Sequence, residues 1–231
     1  PTPTELEHES SLHCGSPATL DSFLQAARDW RIDVSTAPEN VAFFYFAGHG
    51  VIRNRLDQIL LLEDFNDGPG GLLRNSFDVN SLYHGMAPSR QYSRIGRTQF
   101  YFIDACRNLP QQFRQFESLS PTPAFDVRIA ELRDDRIAPK FYAVAVGGVA
   151  YAETEGQTIF SRALLRCLQG AAAERDEQGC WRITISTLTR TLGATVNALL
   201  QEHATEQPVV VDGLGRDAVL CYLPKPPQVQ L

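Results

Sequence analysis

Hydrophobic residues in this chain occur in two patterns, short continuous runs and stripes with helical spacing. The continuous runs are rich in aromatic and β-branched residues, which is typical of strands buried on both faces. They predict strands over residues 41–46, 99–103, 141–146, 209–211 and 219–223, with a further short apolar run over 60–62. Helical spacing predicts helices over residues 18–30, 78–86, 159–168 and 185–200, the last with its N-cap at Ser186 or Thr187. Strands and helices that alternate in this way predict an α/β fold.

Two of the predicted strands end in small residues that surround one reactive side chain. The first is followed by Ala-Gly-His-Gly (47–50), and the second by Asp-Ala-Cys-Arg-Asn (104–108). In an open α/β sheet, ligand-binding and catalytic groups collect at the carboxyl ends of the strands. A histidine at one strand end and a cysteine at another form the arrangement in which a thiol nucleophile meets its base. The two segments therefore predict a cysteine hydrolase.

The same two segments resemble the histidine and cysteine motifs of caspases, metacaspases and bacterial caspase-like peptidases. The caspase signature Gln-Ala-Cys-(Arg/Gln/Gly)-Gly lies about fifty residues after the histidine. Residues 104–108 are similar to it at three of five positions, and Cys106 lies 57 positions after His49. Asp104 in place of Gln, and Asn108 in place of Gly, move the resemblance toward the metacaspase and bacterial branch. The resemblance extends from the first predicted strand to the end of the chain.

The resemblance implies a caspase-like α/β fold, with a mostly parallel central sheet and helices on both of its faces. We expect residues 1–223 to form one peptidase domain, with the Pro-rich tail 224–231 outside its core. Such a fold has strands and a helix before the histidine strand, for which the residues before Val41 do not suffice. We therefore expect the opening strand–helix–strand portion to be missing from this chain, because it was cleaved, was left out or belongs to another chain.

Cys106 is the predicted nucleophile and His49 the predicted general base. The thiolate is the attacking species, and a free thiol is mostly protonated at neutral pH, so a neighbouring base is needed. The resemblance implies that the backbone N–H groups of Gly50 and Cys106 form the oxyanion hole. The plain alternative is that Cys106 is an inert buried thiol and that Gly48 and Gly50 only form a tight turn.

Asp104 is the strongest clue to specificity. In a strand, its side chain points to the same side as that of Cys106, two residues later. The resemblance to metacaspases places this carboxylate in the pocket for the residue before the scissile bond, where it pairs with Arg through two hydrogen bonds or with Lys as a point charge. We therefore predict cleavage after basic residues, after Arg more than after Lys. Glu153 is a candidate second acid of this pocket. A solvated loop charge is the alternative for Glu153, and capping of local backbone N–H groups is the alternative for Asp104.

A long interval without a predicted strand separates Cys106 from Phe141. Loops of this length in compact domains are usually functional or disordered, and in caspases the corresponding linker is cut during activation. Four arginines of the interval are candidate self-cleavage sites: Arg114, Arg128, Arg133 and Arg136. The alternative is a partly helical surface insertion.

Composition narrows the expected partners and compartment. The 231 residues carry a formal net charge of −6, which argues against a nucleic-acid-binding surface. The five cysteines form an odd set without CxxC spacing, so neither a disulfide framework nor a zinc site is indicated. A reducing cytoplasm is therefore the expected location. No apolar run is long enough to span a bilayer, so no membrane partner is expected either. The first residue is Pro rather than Met, which leaves an upstream targeting segment open.

No metal or other cofactor is expected. Asp64, Asn66 and Asp67 are similar to part of a calcium loop, and some metacaspases need calcium. However, the glutamate that ends an EF-hand loop is absent, and the Pro-Gly-Gly that follows is typical of a turn. Calcium dependence stays open as the alternative.

These observations favour an active cysteine endopeptidase that forms a thioester with its protein or peptide substrate. A regulatory partner protein, or the missing N-terminal portion, is expected to control it. Two alternatives stay open: an adaptor of the same fold without catalysis, and a related thiol hydrolase such as an amidase. Bacterial relatives commonly act in defence or regulated cell death, which is a family association rather than a property of these residues.

Overall fold

The computed structural model describes residues 16–53, 57–68, 73–111, 121–126, 132–150, 157–200 and 207–227. Helices and strands alternate through this part of the chain, so the predicted α/β class is confirmed. In chain order the elements are α1 (Leu20–Val34), β1 (Val41–Ala47), β2 (His49–Ile52), β3 (Gln58–Leu61), β4 (Ser76–Asp78), α2 (Val79–Gly85), β5 (Thr98–Asp104), β6 (Thr122–Pro123), β7 (Lys140–Tyr142), α3 (Ile159–Arg166) with a π-helical turn (Cys167–Ala171), β8 (Glu174–Arg175), β9 (Trp181–Thr184), α4 (Ile185–Leu200), β10 (Val210–Asp212) and β11 (Val219–Tyr222).

The central sheet has the strand order β1-β5-β7-β10 within the described residues. Its first three strands are parallel, and β10 is antiparallel to β7. β1 and β5 pair without a shift from Val41 and Thr98 to Ala47 and Asp104. Nearly all of β5 is buried, because it lies between two neighbouring strands and under helices on both faces.

Helices cover both faces of the central sheet, as predicted. On one face, α3 and α4 belong to the same core as Phe100, Phe102 and Phe141. On the other face, α1 and α2 belong to the same core as Ile103 and Tyr142. Successive strand residues point to opposite faces of a sheet, so β5 contributes to both cores.

A second sheet, in the order β2-β3-β4-β6, begins directly after β1. β2 and β3 form an antiparallel hairpin in which His49 pairs with Leu61, and Ile52 with Gln58. The sequence pattern ended the first strand before His49 and did not predict β2, which has only four residues. β8, β9 and β11 form a third, smaller sheet. His49 is therefore the first residue of a paired strand rather than part of an isolated turn.

Helix α4 has the predicted bounds, but its predicted N-cap is wrong. The hydroxyl of Thr184 accepts a hydrogen bond from the backbone N–H of Thr187 at 3.2 Å. In return, the backbone N–H of Thr184 donates to the hydroxyl of Thr187 at 3.0 Å. This reciprocal pair starts the helix at Thr184 rather than at Ser186 or Thr187. α4 has 16 residues, and none of the helices in the described ranges combines the length and apolar character that a bilayer crossing requires.

The strand predicted over residues 141–146 is shorter than expected, because the chain turns soon after Tyr142. The backbone N–H of Gly148 donates to the carbonyl of Ala145 at 2.9 Å. Gly147 between them has a φ of 90°, a conformation that favours glycine. The loop after β7 is thereby directed toward the end of β5.

Part of the long interval after Cys106 is anchored in the fold. β6 pairs with β4, and the backbone N–H of Ala124 donates to the Ser81 hydroxyl at 2.8 Å. Phe125 is buried, and the guanidinium of Arg31 lies 3.8 Å from the centre of its ring. The interval therefore contains a docked segment, residues 121–126, that the sequence pattern did not predict.

Candidate active site

β1 and β5 bring the predicted histidine and cysteine to the same edge of the central sheet. The two strands are parallel neighbours whose last residues pair with each other. Beyond the strand ends, Val51 and Asn108 form a parallel bridge with the same offset in sequence. His49 and Cys106 share that offset, so they occupy matching positions in adjacent segments. His49 is exposed and Cys106 is partly exposed.

Three contacts position Cys106 and the peptides on either side of it. Its carbonyl oxygen accepts a hydrogen bond from the side-chain amide of Gln58 at 3.2 Å. Its sulfur lies 3.4 Å from the backbone N–H of Ala150, which points a donor at the thiol. The next residue, Arg107, donates its backbone N–H to the carbonyl of Gly148 at 3.0 Å. The β2–β3 hairpin and the loop after β7 thus hold the nucleophile peptide from two sides.

Gly50 lies against this peptide at a distance that no side chain allows. A Cβ atom at Gly50 would be 2.8 Å from the Cys106 carbonyl oxygen and 3.0 Å from the Ala105 Cβ. Real Cβ atoms do not approach a backbone oxygen so closely, so glycine is required there by space. The Gly50 and Cys106 N–H groups remain the predicted oxyanion hole, and their peptides do lie side by side.

Arg107 anchors the segment that follows the nucleophile. It is 7% exposed, and its guanidinium lies 4.0 Å from the centre of the Tyr142 ring, in a cation–π contact. Burial lowers the pKa of this guanidinium from its usual value. Tyr142 ends β7, so the contact ties the chain after Cys106 to the central sheet.

Asp104 is a buried carboxylate at the end of β5, only 1% exposed. Three hydroxyl groups surround its Oδ2 atom. Ser161 lies at 3.0 Å, Tyr45 at 3.4 Å, and Thr158 forms a further short hydrogen bond. Its Oδ1 atom is also buried and has no hydrogen-bond partner among the described residues. Burial raises the pKa of the Asp104 carboxyl above its usual value, while the hydroxyl donors lower it.

Helix α3 supplies two of these hydroxyl groups. Thr158 is its N-cap residue, and its hydroxyl accepts the backbone N–H of Ser161 at 3.0 Å. The Asp104 carboxylate therefore lies at the N-terminus of α3, where the helix dipole favours negative charge. The side-chain partners of this carboxylate among the described residues are the hydroxyl groups of Tyr45, Thr158 and Ser161, which lie far from Asp104 in sequence. These contacts differ from the alternative in which Asp104 caps backbone N–H groups of its own segment.

The remaining predicted site residues fall in different places. Glu153, Arg114 and Arg128 lie outside the described residues. Arg133 is exposed, so its peptide segment is accessible at the surface. The pocket role of Glu153 and self-cleavage at Arg114 or Arg128 therefore stay predictions.

The structure argues against self-cleavage after Arg136. Its side chain is only 1% exposed and forms a salt bridge with Asp134 at 2.7 Å. The same guanidinium donates to the carbonyl of Tyr83 and to the Gln99 side chain, both at 2.9 Å. A substrate arginine must enter the pocket of another active site, and Arg136 would first have to leave all of these partners.

The residues that position the site, rather than react, were not predicted from the sequence. Gln58, Tyr45, Thr158 and Ser161 carry no motif of their own. Tyr45 could have been found from strand register, since β1 and β5 pair in parallel and it lies near the same end as Asp104. The other three act across long sequence distances, and no local pattern indicates such contacts.

The acidic turn that resembles part of a calcium loop has a structural use. Both carboxylate oxygens of Asp64 accept the backbone N–H of Leu20, at 3.1 Å and 3.3 Å, at the start of α1. Within the described ranges, no group of three or more His, Cys, Asp or Glu side chains is placed to hold a metal ion.

This chain is similar to a protein-family model and to known proteins. The family model described as a caspase domain matches residues 11–217. An uncharacterised protein of Sinorhizobium fredii is 25% identical over 207 residues, which is 87% of this chain and 57% of that protein. A probable protease of a Desulfuromonadales bacterium is 31% identical over 111 residues, which is 45% of this chain and 12% of that protein. The chain thus spans only part of the length of these relatives.

Proposed function

Since the chain belongs to the family of caspase domains, which are cysteine peptidases, we propose that it is an endopeptidase in which Cys106 is the nucleophile and His49 its base. The caspase-like fold expected from the two motifs is confirmed by the same family match. The observation that carries the proposal is the register of β1 and β5, which sets His49 and Cys106 at matching positions.

The proposed reaction follows from these positions. His49 accepts the thiol proton, and the Cys106 sulfur attacks the carbonyl carbon of the scissile bond. The negative charge on the carbonyl oxygen is received by the N–H groups of Gly50 and Cys106. His49 then gives its proton to the leaving amine, and a thioester remains. Water, activated by His49, hydrolyses the thioester and releases the thiol.

We propose that the enzyme cleaves after basic residues. Support comes from Asp104, whose buried carboxylate has one oxygen without a partner among the described residues. An unpaired buried anion is costly, so such a group is expected to receive a cationic donor. Glu153, in the loop after β7, is the proposed second acid of the pocket. Asp104 is directly followed in the chain by the residues of the nucleophile peptide.

Control by a further polypeptide is supported by the edge of the central sheet. β1 has no neighbour on its outer side within the described residues. Three of its residues keep large apolar side chains exposed: Val41 (55%), Phe43 (45%) and Tyr45 (40%). We propose that a regulatory partner or an N-terminal portion of a longer form covers this edge. The same proposal includes self-cleavage at Arg114, Arg128 or Arg133. It also includes a cytoplasmic location, which keeps the thiol reduced, and a role in defence or cell death.

Peptide hydrolysis tests the proposed chemistry. Fluorogenic peptides ending in Arg, Lys, Asp or Ala are compared for the full-length protein and its Cys106→Ala and His49→Ala variants. Cys180→Ala is the matched control, because Cys180 is a free, exposed thiol in another part of the fold. We expect hydrolysis after Arg and Lys that both site variants abolish and the control retains.

The other outcomes separate the alternatives. Hydrolysis after Asp, lost in Cys106→Ala, would keep the peptidase and overturn the basic specificity. Hydrolysis that survives in Cys106→Ala would overturn the assigned nucleophile. Absence of turnover by the full-length protein on every peptide, with calcium and after limited proteolysis, would favour a non-catalytic adaptor over an enzyme.

A further inference from the structure

The two oxygens of the Asp104 carboxylate are used unequally. Thr158 and Ser161 both donate hydroxyl protons to Oδ2, and Tyr45 lies against the same atom at 3.4 Å. Oδ1 receives no hydrogen bond from the described residues and is shielded from solvent. The asymmetry comes from α3, whose first turn presents both of its hydroxyl groups to one side of the carboxylate.

The unequal use of the two oxygens limits how many hydrogen bonds Asp104 can accept from a ligand. Each carboxylate oxygen offers about two lone-pair sites. Two hydroxyl donors occupy those of Oδ2, so the free acceptor sites of the carboxylate lie on Oδ1. A substrate cation reaches Oδ1 only by displacing the groups that shield this atom from solvent. The guanidinium of Arg reaches its full strength with a carboxylate when two parallel N–H groups meet both oxygens. An ammonium group needs only one oxygen.

We propose that the hydroxyl groups of Thr158 and Ser161 make Asp104 a one-oxygen acceptor, so that the pocket accepts Lys nearly as well as Arg. The inference rests on the proposed cleavage after basic residues and narrows its expected preference for Arg. Thr158 and Ser161 are then specificity-determining residues that never touch the scissile bond. They set the ratio of Arg to Lys cleavage through the carboxylate.

Tyr45 contacts both the Ser161 hydroxyl and the Asp104 carboxylate. The Tyr45 hydroxyl forms a short hydrogen bond with the Ser161 oxygen, and it is close enough to Oδ2 to replace Ser161 as a donor. Removal of Ser161 alone would therefore be compensated in part. The double variant Tyr45→Phe/Ser161→Ala empties one acceptor site on Oδ2 without that replacement.

The test measures kcat/KM for two peptides that differ only in Arg or Lys before the scissile bond. The ratio of the two values cancels any loss of folded enzyme, because both peptides meet the same preparation. We expect a wild-type ratio within about tenfold. In Tyr45→Phe/Ser161→Ala the ratio should rise by about tenfold, the value of one added charge-assisted hydrogen bond to Arg. Ser161→Thr, which keeps the hydroxyl, is the matched control and should retain the wild-type ratio.

The outcomes distinguish this inference from the proposed function. Cleavage of both peptides with a ratio that the double variant leaves unchanged would overturn the role of the hydroxyl groups and keep the basic specificity. A wild-type preference for Arg of 100-fold or more would overturn the one-oxygen acceptor directly. Cleavage of neither basic peptide, with activity on another, would overturn the basic pocket and this inference together.

Discussion

At the scale of a single residue, the buried side-chain amide of Gln58 links the β2–β3 hairpin to the nucleophile peptide. Gln58 is 2% exposed and donates to the Cys106 carbonyl, while its own amide oxygen has no partner among the described residues. Its amide group therefore orients the peptide of Cys106 rather than closing a satisfied network. Small misplacement of a reacting group is costly to rate, so such a residue matters out of proportion to its bond energy.

Gln58→Met tests this positioning role. Met has a similar size but no donor, so we expect kcat to fall by roughly tenfold to 100-fold with little change in KM. The melting temperature should stay close to that of the wild type, because the substitution also removes an unsatisfied buried oxygen. Gln178→Met, on an exposed turn, is the control. A variant with wild-type kcat would show that the hydrogen bond does not position the nucleophile.

Asp104 also predicts how stability depends on pH. Burial raises the pKa of its carboxyl in the folded state above the usual value of 3.8. The folded state therefore binds more protons than the unfolded state at pH values between the usual carboxyl pKa and the raised pKa of the folded state. Stability falls as pH rises through that window, since the ionised carboxylate is costly to bury.

Asp104→Asn removes this titration. We expect its free energy of unfolding to exceed that of the wild type at pH 7, and the difference to shrink as pH falls toward 4. Urea unfolding at several pH values measures it. The same variant should lose cleavage after basic residues, a stability–function trade-off typical of binding sites. An equal pH dependence in both proteins would show that the buried carboxylate carries no such cost.

At the scale of elements, the docked segment 121–126 shows how the interval after the nucleophile is held. Phe125 fills a site against Arg31 and Gly85, where a Cβ on Gly85 would come within 2.2 Å of its ring. β6 adds only two residues to the second sheet. Most of the anchoring therefore comes from the buried ring rather than from strand pairing.

Phe125→Ala should destabilise the fold by about 3–5 kcal/mol, because it leaves a cavity beside α1 and α2. Leu132→Ala, in the same interval but 38% exposed, should change stability by less than about 0.5 kcal/mol. Chemical denaturation of both variants measures the contrast. Similar small effects of the two substitutions would mean that the segment is not anchored by its ring.

The elements also show what a sequence pattern can and cannot predict. β1, β5 and α4 were predicted because long apolar runs and sustained helical spacing are local properties. β2 and β6 were not, since strands of two to four residues exist only through their partners. His49 and Cys106 stood out through their motifs. The donors that surround Asp104 did not, because Thr158 and Ser161 reach it across more than fifty residues of chain.

At the scale of the whole molecule, the outer side of β1 is an unpaired sheet edge among the described residues. β1 is a strand at the edge of the central sheet, and its exposed residues are apolar rather than charged. Natural edge strands usually carry charges, prolines or bulges that prevent pairing with another chain. The absence of such protection along β1 supports the proposed partner for this edge.

Without that partner, we expect the chain to self-associate through β1. Among the described residues, the outer backbone groups of β1 have no neighbouring strand, and apolar side chains lie exposed beside them. Val41→Lys places a charge on the edge at a residue 55% exposed and should lower this association. Leu214→Lys is the matched control, since Leu214 is 56% exposed but lies in no strand. Sedimentation velocity over a range of protein concentrations measures both variants. If Leu214→Lys reduces association as much as Val41→Lys, general surface charge rather than the β1 edge controls it. If the wild type stays monomeric at every concentration, the edge needs no cover, and the proposed partner loses its structural support.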